Sequence, residues 1–139
     1  MTARPHIEST LYRFGWMFAM SQMDGIGECF TADAEVDFEG KEMTTGREAV
    51  VAELTRRRSK YGPRGTMMWH LLTNVFIAEE SDTEASVRTF FTALVSGDSG
   101  PPTLQSVGYY DDVFVLDGDT WRIRRRRVVR AATALAELG

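Results

Sequence analysis

The sequence predicts an α+β fold in which helices come first and a curved, mainly antiparallel sheet follows. Apolar residues at helical spacing occur up to about residue 60. The rest of the chain holds four long segments rich in β-branched and aromatic residues, with turn residues between them. Segregated helices and strands are typical of the α+β class. Strands of about twelve residues exceed the usual five or six, so we expect them to twist into a cone around the first helix, enclosing a pocket.

Three helices are predicted in the first part of the chain, over about residues 5–21, 24–30 and 47–60. The first has an apolar stripe at helical spacing, formed by Ile7, Leu11, Phe14 and Phe18. Pro5 suits its first turn, because proline there removes no helical hydrogen bond. Gly62 and Pro63 end the third helix, since glycine permits left-handed geometry and proline cannot continue a helix.

The strands follow from alternation and turn chemistry. A short strand is predicted over residues 34–38, and four long ones over about residues 66–79, 84–96, 103–116 and 119–130. Asp117 and Gly118 separate the last two, and Asp-Gly between alternating segments is a strong hairpin signal. We therefore expect the four long strands to form an antiparallel meander.

Length and composition indicate one domain over residues 1–139, with a core over about 7–130 and a C-terminal tail over 131–139. The net charge of −4 argues against a nucleic-acid partner. No apolar stretch reaches the roughly 20 residues of a membrane span, and the N-terminus lacks a signal-peptide core. With Cys29 as the single cysteine, we expect a cytoplasmic location, no metal and no organic cofactor.

His70 is the most unusual residue for its surroundings, because it interrupts the apolar run of residues 69–77. Histidine is the side chain best suited to move a proton near neutral pH. One interpretation is a proton-transfer residue that faces a pocket. The other is a core histidine hydrogen-bonded to a neighbouring strand, and the sequence leaves both open.

Four motifs in order resemble the SnoaL-like branch of the nuclear transport factor 2-like superfamily: residues 28–38, 46–50, 70–75 and 118–123. The resemblance covers about residues 7–130 and implies a cystatin-like α+β barrel. The superfamily includes polyketide cyclases, scytalone dehydratase, ketosteroid isomerases and small subunits of aromatic-ring dioxygenases. Such a fold does not by itself define an activity.

The resemblance places His70 where dehydratase-like members carry an acid or base, and Tyr110 where a tyrosine orients substrate. Asp112 would share a face with Tyr110; we favour a structural ion pair for it, with Arg125 or Arg127. The other candidate substrate-binding residues are aromatics or neighbours of His70 on its face: Tyr12, Phe14, Trp16, Phe18, Leu72, Asn74 and Phe91.

One position departs from the family pattern. Many relatives carry an aspartate about eleven residues before the phenylalanine that matches Phe30, and here that position is Ala19. Asp24 is the nearest carboxylate, and we expect it to face solvent. A mechanism built on an aspartate–histidine pair would therefore lack its aspartate.

The arginines of residues 122–127 are the most prominent charge feature. Strand alternation predicts that Arg122, Arg124 and Arg126 share one face, while Arg125 and Arg127 share the other. We expect them to form ion pairs with nearby carboxylates or with a partner subunit, since a run split between two faces is no dense basic patch.

Two functions of different class remain open. The first is a cofactor-independent lyase or isomerase, such as a dehydratase or cyclase, acting on a cyclic polyketide- or steroid-like substrate. The second is a non-catalytic ligand-binding or accessory protein related to the small dioxygenase subunit. In either case we expect a small hydrophobic molecule as partner and a homodimer, with a trimer as the alternative. The predicted interface is an exposed apolar row on the sheet: Trp69, Leu71, Val75 and Ile77.

Overall fold

The computed structural model describes residues 3–62 and 64–139. Its helices are α1 (Arg4–Ala19), α2 (Met23–Ile26), α3 (Arg47–Tyr61) and α4 (Ala131–Leu138), with a 3-10 turn at Gly27–Cys29. The strands are β1 (Phe30–Asp37), β2 (Thr44–Thr45), β3 (Met67–Glu80), β4 (Glu84–Ser96), β5 (Thr103–Asp117) and β6 (Thr120–Arg130). Pro63, the predicted helix stop, and residues 1 and 2, part of the signal-peptide argument, lie outside the described residues.

The sheet has the strand order β2-β1-β6-β5-β4-β3. Strands β3 to β6 form the predicted antiparallel meander, while β1 pairs with β6 in parallel and with β2 antiparallel. The predicted α+β class and the curved, mainly antiparallel sheet are confirmed. The predicted strand over residues 34–38 is longer in the structure, because β1 starts at Phe30. The alternation also did not indicate that this strand joins the sheet by pairing with β6.

Helix α1 lies on the inner side of the sheet and packs mainly against β3. Its predicted apolar stripe is fully covered: Ile7, Leu11, Phe14 and Phe18 are all at most 5% exposed. The C-terminal end of α1 is held by Arg58 of α3, which donates from Nε to the carbonyl oxygen of Phe18 (2.8 Å) and from Nη2 to that of Ala19 (2.9 Å). A cation is favourable at this end of a helix dipole.

A β-bulge in β3 changes which residues face the core. The pairing with β4 shifts between Thr73 and Phe76, and Asn74 there adopts a left-handed φ of 56°, which asparagine tolerates better than most residues. One extra residue reverses the alternation. Val75 and Ile77 consequently pack against the core, so the expected exposed row is wrong at these two positions, and Phe76 is exposed instead.

The residues predicted as a tail form α4, which lies beside β5 and β6. Glu137 anchors it by accepting a hydrogen bond from the Tyr109 hydroxyl (2.7 Å) and by pairing with Arg127 (3.0 Å). None of the helices in the described part of the chain is long and apolar enough to cross a membrane.

Candidate small-molecule site

A cavity of about 430 Å³ lies between α1, α3 and the inner face of the sheet. This volume lies within the range of small-molecule sites. Aromatic rings form much of its wall, and polar side chains lie among them. The lining includes Phe14, Phe18, His70, Phe91, Tyr110 and Arg126.

His70 and Tyr110 are joined across this wall. The imidazole Nε2 lies 2.7 Å from the Tyr110 hydroxyl oxygen. Strand β4 lies between the strands that carry them, and its Phe91 stacks on both rings, at centroid distances of 6.1 Å from His70 and 4.8 Å from Tyr110. Gly108 makes room for Phe91, because a Cβ there would lie 2.9 Å from the end of its ring.

Burial sets the protonation of this pair. It lowers the pKa of His70 to about 3, with a further contribution from the positive charge of Arg126. It raises the pKa of Tyr110 to about 12. Both side chains are therefore neutral at physiological pH. The second imidazole nitrogen, Nδ1, is buried and makes no hydrogen bond to any described residue.

Arg126 and Asp112 form a buried ion pair beside Tyr110. Two parallel hydrogen bonds join them, Nε to Oδ1 at 2.8 Å and Nη2 to Oδ2 at 2.9 Å. The guanidinium also lies over the rings of Tyr110 (3.7 Å to the centroid) and Phe14 (4.6 Å). Burial raises the pKa of Asp112, and the charge of Arg126 opposes that rise. The ion pair expected for Asp112 exists, but not with the predicted arginine.

A β-bulge explains why sequence reasoning missed Arg126. Val113 pairs with Arg125 and Phe114 with Ile123, so Arg124 is an extra residue on β6. The alternation reverses there, and Arg126 faces the core while Arg124 faces solvent. The expectation that Arg122, Arg124 and Arg126 share a face is therefore wrong. No residue in this arginine run marks the bulge in advance.

The structure brings together five of the predicted site residues as cavity lining: Phe14, Phe18, His70, Phe91 and Tyr110. Asp112 lies behind Arg126. Leu72 faces inward as predicted, but it packs under α1 in the core. Their roles toward a ligand remain proposals.

Three more predicted site residues lie outside the cavity. Tyr12 and Trp16 are 47% and 62% exposed on the outer side of α1, because the apolar stripe of the helix runs through other positions. Asn74 is exposed at the bulge of β3, which removes it from the face of His70. These corrections remove two aromatic side chains and one amide from the predicted site.

Neither position 19, an alanine, nor Asp24 places a carboxylate in the cavity. Ala19 is buried at the end of α1, and Asp24 is exposed as expected. The described residues contain no group of three or more His, Cys, Asp or Glu side chains that could hold a metal ion. The absence of a cofactor stays a prediction. Cys29 is buried, and burial raises its pKa to about 11, so it is no activated thiol.

A cone-shaped α+β sheet with an aromatic-walled cavity defines a class of small-molecule-pocket proteins. The chain belongs to the SnoaL-like domain family, whose sequence model matches residues 1–127. The resemblance stated from the motifs is therefore confirmed. Among curated proteins, none matches the sequence significantly.

Solved structures share the fold at low identity. A putative scytalone dehydratase from Novosphingobium aromaticivorans superposes with a TM-score of 0.78 at 23% identity, covering 92% of this chain and 83% of that one. An NTF2-like protein with a cystatin-like fold from the same organism gives 0.81 at 21%, covering 98% and 88%. The β subunit of a putative aromatic-ring-hydroxylating dioxygenase, also from that organism, gives 0.75 at 15%, covering 92% and 88%. Identities this low show the fold alone.

Proposed function

We propose that the protein is a cofactor-independent lyase or isomerase, of the dehydratase or cyclase type, acting on a cyclic polyketide- or steroid-like ketone. The observation that carries this proposal is the 2.7 Å contact between His70 Nε2 and the Tyr110 hydroxyl inside an aromatic-walled cavity of about 430 Å³. A proton-transfer residue and an oxygen-binding residue are then adjacent in a cavity walled largely by aromatic rings.

The tautomer of His70 decides the roles. With hydrogen on Nε2, the imidazole donates to the Tyr110 oxygen, so the hydroxyl donates to a substrate carbonyl. The lone pair on Nδ1 then takes a proton from the carbon beside that carbonyl. The C–H electron pair moves to the oxygen, where the Tyr110 hydroxyl stabilises the developing negative charge. The imidazolium returns its proton to another carbon in an isomerisation, or to a departing hydroxyl in a dehydration.

The low pKa of His70 restricts the substrate. An imidazole with a pKa of about 3 is a weak base, so it suits a C–H bond that is already acidic, next to a ketone and an aromatic ring or second carbonyl. An enolate formed beside His70 would raise the proton affinity of the imidazole, because opposite charges in a low dielectric attract strongly. The proposed substrates are therefore ring ketones with activated C–H bonds.

Proton exchange into 2-tetralone in D₂O, followed by NMR, tests this function. Wild type should exceed the buffer rate, and His70→Gln or Tyr110→Phe should reduce the enzymatic part about 100-fold or more. His6→Gln is the matched control, because His6 is exposed and does not line the cavity. Exchange that is unchanged in His70→Gln overturns the catalytic assignment.

The alternative is a non-catalytic ligand-binding or accessory protein related to the small dioxygenase subunit. Ala19 in place of the family aspartate favours it. In that case a ring ligand binds wild type, yet wild type gives no exchange above buffer in 2-tetralone or in other cyclic ketones.

We further propose a homodimer through the outer face of the sheet. Cross-strand register places five exposed side chains on that face, and we call them the outer patch: Trp69, Leu71, Phe76, Phe90 and Leu104. Contiguous apolar surface of this kind marks interaction sites.

A further inference from the structure

Arg126 has a hydrogen-bonding capacity that its ion pair does not use. The side chain is 2% exposed, and Asp112 accepts from Nε and Nη2. The third nitrogen, Nη1, is buried and finds no hydrogen-bond acceptor among the described residues. Buried guanidinium N–H groups are seldom left unpaired.

The pair with Asp112 also fixes the direction of Nη1. A guanidinium is planar and rigid, so two bonds to one carboxylate determine where the remaining nitrogen points. The rings of Tyr110 and Phe14 lie against the guanidinium carbon at 3.7 and 4.6 Å. They stabilise its charge but supply no oxygen acceptor. Arg126 itself lines the cavity.

Most of the charged side chains around the cavity already have partners. The lining contains three arginines, Arg57, Arg126 and Arg130, against one carboxylate, Glu39. Glu39 already accepts from the Arg130 backbone N–H (2.7 Å) and from the Thr133 hydroxyl. Arg57 pairs with Glu53, and Arg130 donates to the carbonyl oxygen of Phe38. The side chain of Arg126 is thus the buried cation with a free donor.

We propose that Arg126 Nη1 binds an acidic oxygen of the ligand, so that the cavity selects ring compounds bearing a carboxylate, enolate or phenolate. This inference rests on the proposed function, in which the cavity holds a ring-shaped molecule. The ligand ring lies among Phe14, Phe18 and Phe91, and its acidic oxygen receives the Nη1 hydrogens. Asp112 acts as a positioning residue, because it orients Arg126 without touching the ligand.

Calorimetric titration of the full chain with two matched probes tests the proposal. The probes are 2-naphthoate and 2-naphthamide, which share a ring and differ in charge. Wild type should bind 2-naphthoate about 10-fold or more tightly than 2-naphthamide, since a guanidinium donates a stronger hydrogen bond to a charged carboxylate than to a neutral amide oxygen. The double variant Arg126→Met/Asp112→Leu removes the pair together, so no lone carboxylate stays buried. It should lose the preference while keeping affinity for 2-naphthamide.

Arg125→Met is the matched control, because this neighbouring arginine has a side chain 61% exposed and should keep the preference. Arginine side-chain NMR on wild type gives a measurement independent of variant folding: the Arg126 Nε–H signal should shift more with 2-naphthoate than with 2-naphthamide. Equal affinity for the two probes, or a preference retained in the double variant, overturns the role of Arg126 but not the proposed function. If wild type binds neither probe, the proposed function fails as well.

Discussion

Gly15 of α1 lies directly against the backbone of His70 on β3. A Cβ at Gly15 would be 3.2 Å from the His70 carbonyl oxygen, so the absent side chain lets the helix approach the strand closely. The same approach brings Phe14 and Phe18 of α1 within 5.8 and 5.1 Å of the imidazole, centroid to centroid. Helix packing thus shields much of the His70 ring from water.

This burial predicts a pH dependence of stability. The pKa of His70 is about 3 in the folded state and returns toward 6.5 on unfolding. Between these values the unfolded chain binds more protons, so the stability falls as the pH falls from 6.5 toward 3. Between about pH 7.5 and pH 4.5, the free energy of unfolding of His70→Phe should fall by about 2–3 kcal/mol less than that of wild type.

Urea unfolding at the two pH values measures this difference. Glu39, Glu53 and Glu137 also have lowered pKa values, so they too cost stability in acid. They are present in both proteins, and their effect cancels in the comparison. An identical loss in wild type and His70→Phe would contradict the assignment to His70.

The contrast between His70 and Arg126 shows which parts of the site the sequence could predict. His70 and Leu72 precede the bulge of β3, so simple alternation and the family motif correctly predicted that both face inward. Asn74 and Arg126 lie at or beyond bulges, where one inserted residue reverses the face. Helical and strand periodicity therefore predicted most elements and the position of the cavity. They could not predict the register that completes the site.

Removing one partner of the Arg126–Asp112 ion pair should cost much more stability than removing both partners. Arg126→Met leaves the Asp112 carboxylate buried without its partner, and we expect a loss of about 3–5 kcal/mol in the free energy of unfolding. Arg126→Met/Asp112→Leu should recover most of it, because both charges are then gone. Urea unfolding of the two single variants and the double variant gives the coupling energy. A single variant as stable as wild type would show that the pair is solvated.

Gly108 is predicted to be intolerant of any side chain. A Cβ there would meet the Val129 carbonyl oxygen at 2.1 Å and the Arg130 Cα at 2.9 Å, and both belong to backbone that cannot rotate away. Gly108→Ala should cost about 3 kcal/mol of stability, through displacement of β6 from β5. The matched control is Gly97→Ala, where a Cβ has nothing within 4 Å. Thermal unfolding of both variants should separate them, and equal melting temperatures would refute the close approach.

The outer patch should decide the oligomeric state. Phe90 lies within it, opposite Thr73 on β3 and Tyr109 on β5, and is 53% exposed in the single chain. A glutamate at this position would be desolvated without a partner in a dimer interface, so Phe90→Glu should sediment as a monomer while wild type sediments as a dimer. Met43→Glu is the control, since Met43 is also apolar and is 43% exposed but lies in the loop before β2. Sedimentation velocity at several micromolar concentrations distinguishes monomer, dimer and trimer, and a monomeric wild type would remove the interface from this face.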